Sequence, residues 1–176
     1  MAMTEPNVPL PQRWTTLNIT LHWTILALLL LQFIDSEWMP ELFDQSRDGT
    51  ASDLLTLVMG YGHMVIGALI FLAITVRLWD RRVHGRPAHS MSEPNWATTL
   101  AKVTHVALYA ILLSMPLAGA AAWLTGSDWI AEVHGYAWTA LMVFAALHIT
   151  GALVNHFHFK NDVLRRMMPG QGRETN

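Results

Sequence analysis

The sequence predicts an all-α fold, a transmembrane four-helix bundle running up and down, with residues 1–176 forming one membrane domain. Two observations predict it. Four stretches are almost free of charge, at 15–34, 54–78, 97–123 and 136–159, and each is long enough to cross a hydrocarbon layer as a helix. The basic residues then fall almost entirely on one side of those stretches. A soluble helix of this length would show a charged face, and none of the four does. A soluble protein with four buried helices would also need further chain to cover them, and none is left over.

The expected helices are roughly 15–34, 54–79, 96–124 and 130–159. The first reads TTLNITLHWTILALLLLQFI and follows a polar, proline-rich dozen residues that lack the apolar core of a cleavable signal. It is therefore expected to act as the insertion signal itself. The second contains GYGHMVIGAL, whose glycines suit close helix packing. The third holds Pro116 in LLSMPLAG and is expected to kink there, with neighbouring groups compensating for the lost backbone bond. The fourth follows a short connection, TGSDWIAEV, that makes it the antiparallel neighbour of the third. Trp14, Trp38, Trp79, Trp96, Trp123 and Trp129 mark the expected interfaces.

Ten of the eleven basic residues lie before the first span, at or between the facing ends of the second and third with Lys102 just inside the third, or after the fourth; Arg47 is the exception. The positive-inside rule makes that side cytoplasmic, with both termini inside. The chain is thus expected to cross its membrane four times. The opposite side carries Asp35, Glu37, Glu41, Asp44, Asp48, Asp53, Asp128 and Glu132 against Arg47, eight acids to one base and a net charge of −7.

The histidines carry the chemistry. His134 and His148 are fourteen positions apart. That spacing is roughly 21 Å along a helix, with both rings leaving one face. His22, about two turns into the first span, matches the depth of His148 near the cytoplasmic side. His63, two to three turns into the second, matches His134 near the outer side. Ionisable groups inside spans are costly and usually functional. Imidazole suits iron, copper, nickel and zinc alike, but two facing histidines per site match a six-coordinate haem iron whose other four positions a porphyrin fills. A bare zinc ion wants three or four protein ligands. The expected cofactors are therefore two stacked haem b groups, held non-covalently because the chain has no cysteine. A proton relay or metal transporter would be expected to place carboxylates centrally in the spans.

His105, on the third span at the cytoplasmic depth, is a further candidate: an alternative ligand, or a contact to a haem propionate or a quinone. His156 and His158 end the fourth span beside Lys160 and are expected at a partly solvated interface, with propionate or quinone contact as the functional reading. His84 and His89 read as solvated loop residues. Donors from His105, Asn155, His156, His158 and nearby Arg77 form a candidate quinone site.

At these residues the sequence resembles the bacterial cytochrome b561 family of four-helix, di-haem b membrane proteins. The resemblance covers nearly the whole chain: ITLHW at His22, GHMVIGAL at His63, HVALYAILLSMPLAG in the third span, His134-Gly135, LHITGALVNHF and FKNDVLRRMMP. It implies His22, His63, His134 and His148 as haem ligands and quinone as electron partner. It also implies an activity found in the family, oxidation of superoxide with reduction of ubiquinone. The chain departs from that pattern in a shorter third connection, a longer first one and an acidic outer face, which would repel superoxide. Two functional readings follow. One is a superoxide:ubiquinone oxidoreductase. The other is a non-enzymatic electron carrier serving a periplasmic redox protein, with the acidic face suited to a basic partner. Lipid and membrane quinone are expected partners, nucleic acid is not.

Overall fold

The computed structural model describes residues 13–87 and 94–169. His89, expected in a loop, lies outside them. The described residues form five α-helices: α1 (Thr16–Asp35), α2 (Met39–Asp48), α3 (Leu54–His84), α4 (Asn95–Thr125) and α5 (Asp128–Phe157). A short 3-10 turn, Ser36–Trp38, joins α1 to α2. Four segments are long and apolar enough to cross a membrane: Thr16–Asp48, Leu54–His84, Asn95–Thr125 and Asp128–Phe157. At 31 residues each, α3 and α4 are roughly 46 Å long, against about 30 Å of hydrocarbon, so their ends reach the headgroup zone.

Local chemistry sets the ends. The Thr15 hydroxyl accepts the Asn18 amide at 3.0 Å to start α1. The Asp53 carboxylate accepts the amides of Leu55 and Thr56 at 2.8 and 3.0 Å to start α3. Those bonds hold the exposed Asp53 carboxyl below its ordinary range, led by the Thr56 amide. α4 ends where Gly126 turns left-handed at φ +63°, a conformation that a Cβ would strain. The helix runs through Pro116 without interruption.

Close packing joins α1 to α3, α3 to α4, and α4 to α5. The core is thin: Ile25, Ile70, Ala73, Ile74, Leu112 and Leu141. Most large apolar side chains face outward, among them Leu30, Phe33, Val65, Leu72, Val106 and Leu117. Lipid is as apolar as leucine, so association of these helices rests on fit and polar contacts rather than on hydrophobic burial. α2 shows the fit: Leu42 fills the space that a Cβ on Gly60 of α3 would need.

Three details differ from the sequence reading. The first connection contains a ten-residue helix, α2, amphipathic enough to lie on α3 through Leu42. Arg81 and Arg82 belong to the last turn of α3 rather than to a loop. His84 also ends that helix, with Nδ1 3.0 Å from Asp80 Oδ1, although its side chain remains exposed. α3 runs on past the apolar span because its long polar side chains can reach water from a helix end.

The antiparallel arrangement gathers Arg77, Arg81, Arg82, Lys102 and the residues after α5 at one end of the bundle, here the basic end. α2 and the α4–α5 turn form the acidic end, where Arg47 pairs with Asp128. After α5 the chain folds back across the basic end. The Asn161 side chain donates to Asn155 Oδ1 at 2.6 Å, and the Trp23 indole donates to the Met167 carbonyl at 2.7 Å. This strap ties α5 to α1, two helices outside the close-packed pairs.

Candidate functional site

Each of the four span histidines meets a partner on another helix. His22 of α1 faces His148 of α5, with ring centroids 6.0 Å apart and planes at 73°. His63 of α3 faces His134 of α5 at 6.2 Å and 71°. An imidazole nitrogen binds a first-row metal at about 2 Å, so two rings on opposite sides of one ion have centroids roughly 6 Å apart. Both pairs have that separation. All four rings are half-buried.

The hydrogen bonds decide which ring nitrogen is available. His134 Nδ1 lies 2.8 Å from the Met115 carbonyl, so it carries the proton and Nε2 is left as the donor to a metal. His63 Nδ1 lies 3.0 Å from Asp35 Oδ1, and the Asp35 carboxylate can only accept from it. That again leaves Nε2. A carboxylate behind a metal-binding imidazole fixes its orientation and raises its basicity. The adjoining Gln32 amide donates to the His63 carbonyl at 3.2 Å, anchoring the backbone of the same residue.

Gly119 of α4 completes the cradle at His134. A Cβ there would lie 3.0 Å from the His134 Cε1 and 3.2 Å from Nδ1, closer than ordinary van der Waals contact. One turn beyond His134, Trp138 stacks on Phe33 of α1, with centroids 6.0 Å apart and planes at 25°. This aromatic pair sits between the two histidine levels and joins α1 to α5.

At the basic end, His105 stands edge-on to His148 with centroids 5.0 Å apart, short of the separation for opposite ligands of one ion. Its Nδ1 lies 2.6 Å from the Ala101 carbonyl. His156 and His158 meet the rings of Phe157 and Phe159 rather than this group, at 4.8 and 5.0 Å. His158 is exposed, whereas the Nδ1 of His156 is buried without a hydrogen-bond partner. Asn155 is buried and engaged by Gly151 and Asn161. The cluster of donors expected from the sequence is therefore divided. His105 belongs with the His22–His148 pair, and Asn155 belongs to the strap.

A polar group that the sequence reading passed over lies below His22. Asn18 and Asp80 are almost wholly buried. The Asp80 Oδ2 accepts from the Thr15 hydroxyl at 2.6 Å and the Asn18 amide at 3.1 Å. Arg77 Nε donates to Asn18 Oδ1 at 3.1 Å, and Asn18 donates to the Arg77 carbonyl at 3.3 Å. Asp35 was passed over too. It had been counted with the solvated acids, yet it is 5% exposed and lies against His63. The available signal was its position as the last helical residue of α1, opposite the second turns of α3.

The donor set fits a planar macrocycle better than a bare ion. Among the described residues no three His, Asp or Glu side chains converge on one point. Each level instead offers two imidazoles from different helices, at a separation that one metal between them would require. α5, which carries one of each pair, is not closely packed on α1 or α3.

The family model for prokaryotic cytochrome b561 matches residues 13–170. Cytochrome b562 of Cereibacter sphaeroides is 32% identical over 155 residues, covering 88% of this chain and 94% of that protein. Cytochrome b561 homolog 1 of Escherichia coli K12 is 25% identical over 182 residues, covering 89% of this chain and 97% of that one. Cytochrome b561 homolog 2 of the same organism is 22% identical over 180 residues, covering 90% and 92%.

Proposed function

The chain belongs to the prokaryotic cytochrome b561 family of multi-pass membrane electron-transfer cytochromes, and on that premise we propose that it holds two haem b groups and passes electrons between the outer membrane face and the quinone pool. The observation that carries the reading is the pair of cross-bundle imidazole contacts at 6.0 and 6.2 Å. His22 and His148 ligate one haem, His63 and His134 the other. The basic end faces the cytoplasm by its excess of Arg and Lys, which places the first pair inside and the second outside.

Haem, when bound, supplies a one-electron iron couple. The chain's own residues supply geometry and charge. The Met115 carbonyl and Asp35 fix the Nδ1 protons of His134 and His63, which leaves Nε2 of each free to hold the iron. Two histidines at each level would fill both positions that a porphyrin leaves on its iron, which suits electron transfer rather than oxygen binding. Trp138 and Phe33 stack across α5 and α1 between the two levels and hold those helices in register.

On the cytoplasmic side the quinone reading rests on His105 and on the buried, unpartnered Nδ1 of His156, which lacks a hydrogen-bond partner that a quinone oxygen would provide. Ubiquinone is the proposed acceptor. The acidic outer face, where Arg47 is already engaged by Asp128, favours a cationic or neutral donor over superoxide. A carrier serving a basic periplasmic redox protein is therefore preferred to a superoxide:ubiquinone oxidoreductase.

The test is replacement of the ligands one at a time, read by haem content and absorption spectra. His22→Ala and His148→Ala should each remove the same haem, and His63→Ala and His134→Ala the other. Loss of a haem in His105→Ala with full retention in His22→Ala would reassign the α1 ligand.

A further inference from the structure

Arg77 is a half-buried guanidinium on α3 that meets no carboxylate among the described residues. Among the described residues the acids in ion pairs are Asp128, Asp35, Asp80 and Asp162, and none pairs with Arg77. Its one side-chain bond is from Nε to Asn18 Oδ1. The two terminal nitrogens, four N–H donors in a planar fork, have no hydrogen-bond partner among the described residues. A half-buried cation in a span is expensive unless an anion answers it.

The position says which anion. Asn18 lies one turn before His22 on the same face of α1. The guanidinium held by Asn18 is therefore one turn from the His22 ring, on its basic-end side. The His148 ring lies 6.0 Å from that of His22 and the His105 ring 5.0 Å from that of His148, so the three rings form one group at that level. Asn18 is itself held by Asp80, and Asp80 by Thr15, so the fork is aimed by a buried chain of hydrogen bonds. Asp80 is the acid nearest along α3, but it is consumed by Thr15, Asn18 and His84.

We infer that Arg77, aimed by Asn18, is the oxyanion anchor of the His22–His148 site and grips a carboxylate of the haem bound there. This rests on the two-haem reading. A planar fork matches a carboxylate with two parallel bonds, and a lysine cannot do the same. The positive charge also opposes oxidation of the nearby iron, so Arg77 raises the potential of this haem relative to the outer one.

The experiment uses the full-length holoprotein in detergent, grown with haem carboxylates labelled with carbon-13. Haem content, the two reduction potentials and redox-difference infrared spectra are recorded for wild type, Arg77→Gln and Arg77→Lys. Arg77→Gln should lower the inner potential alone and shift the labelled carboxylate bands. Arg77→Lys should keep the potential near wild type yet still shift the bands, and it carries the test if the glutamine variant does not accumulate. Labelled bands that stay fixed in both variants would overturn the anchor. So would fixed bands accompanied by loss of a co-purified anionic phospholipid, which would make a lipid phosphate the anion instead. An equal shift of both potentials would show a general structural role and also overturn it. Wild-type protein with fewer than two haems defeats the two-haem reading itself. Two haems with insensitive bands defeat only the anchor.

Discussion

Replacing Asp35 by asparagine should raise the reduction potential of the outer haem. The Asp35 carboxylate accepts from His63 Nδ1 at 3.0 Å, and its side chain is only 7% exposed, so water screens the contact little. When the iron is oxidised it withdraws density from the imidazole and strengthens the N–H···O⁻ bond. The bond therefore favours the oxidised state and holds the potential down. A hydrogen bond to a charged group contributes about 1.5–3 kcal/mol, and a neutral one about 0.5–1.5. Asp35→Asn preserves the acceptor but removes the charge, a change of about 1 kcal/mol. At about 59 mV per tenfold for a one-electron couple, that is an upward shift of roughly 40 mV, less if part of the bond strength is common to both oxidation states. A spectroelectrochemical titration of the detergent-solubilised protein measures both haems together, and the inner potential serves as the internal control. An outer potential that stays fixed or falls would refute the reasoning and remove Asp35 from the site.

Two other predictions follow from the same geometry. Gly119→Leu should displace the His134 ring, since even a Cβ would lie 3.0 Å from Cε1, and the purified variant should retain only the inner haem; Gly119→Ala should keep both haems with an altered outer-haem spectrum. Superoxide should reduce the protein slowly, at a rate that rises with added salt as screening weakens repulsion from the acidic face; a near-diffusion-limited rate that falls with salt would make superoxide oxidation the better reading.

The spans were legible because they are long and uncharged, a signal that needs no tertiary information. The histidine pairs were legible for a related reason: helical rise and loop charge convert sequence position into depth, and depth selected His22 with His148 and His63 with His134. What the sequence could not show is lateral. Asp35 reads as one outer acid among eight until α1 and α3 are set side by side, when it falls against His63 rather than in water. Arg77 reads as part of a topogenic basic run until the hydrogen bond to Asn18 turns it toward the bundle interior. Gly119 carries no signal at all by itself, because its meaning lies in a ring on another helix. The strap through Met167 was equally hidden, since a backbone carbonyl leaves no mark in side-chain pattern.

Haem stoichiometry tests the central claim most directly. A pyridine haemochrome assay on the purified, quantified chain should return two b-type haems per polypeptide, with low-spin bis-histidine spectra in both oxidation states. One haem per chain, or a high-spin component that reports an open iron position, would contradict the account.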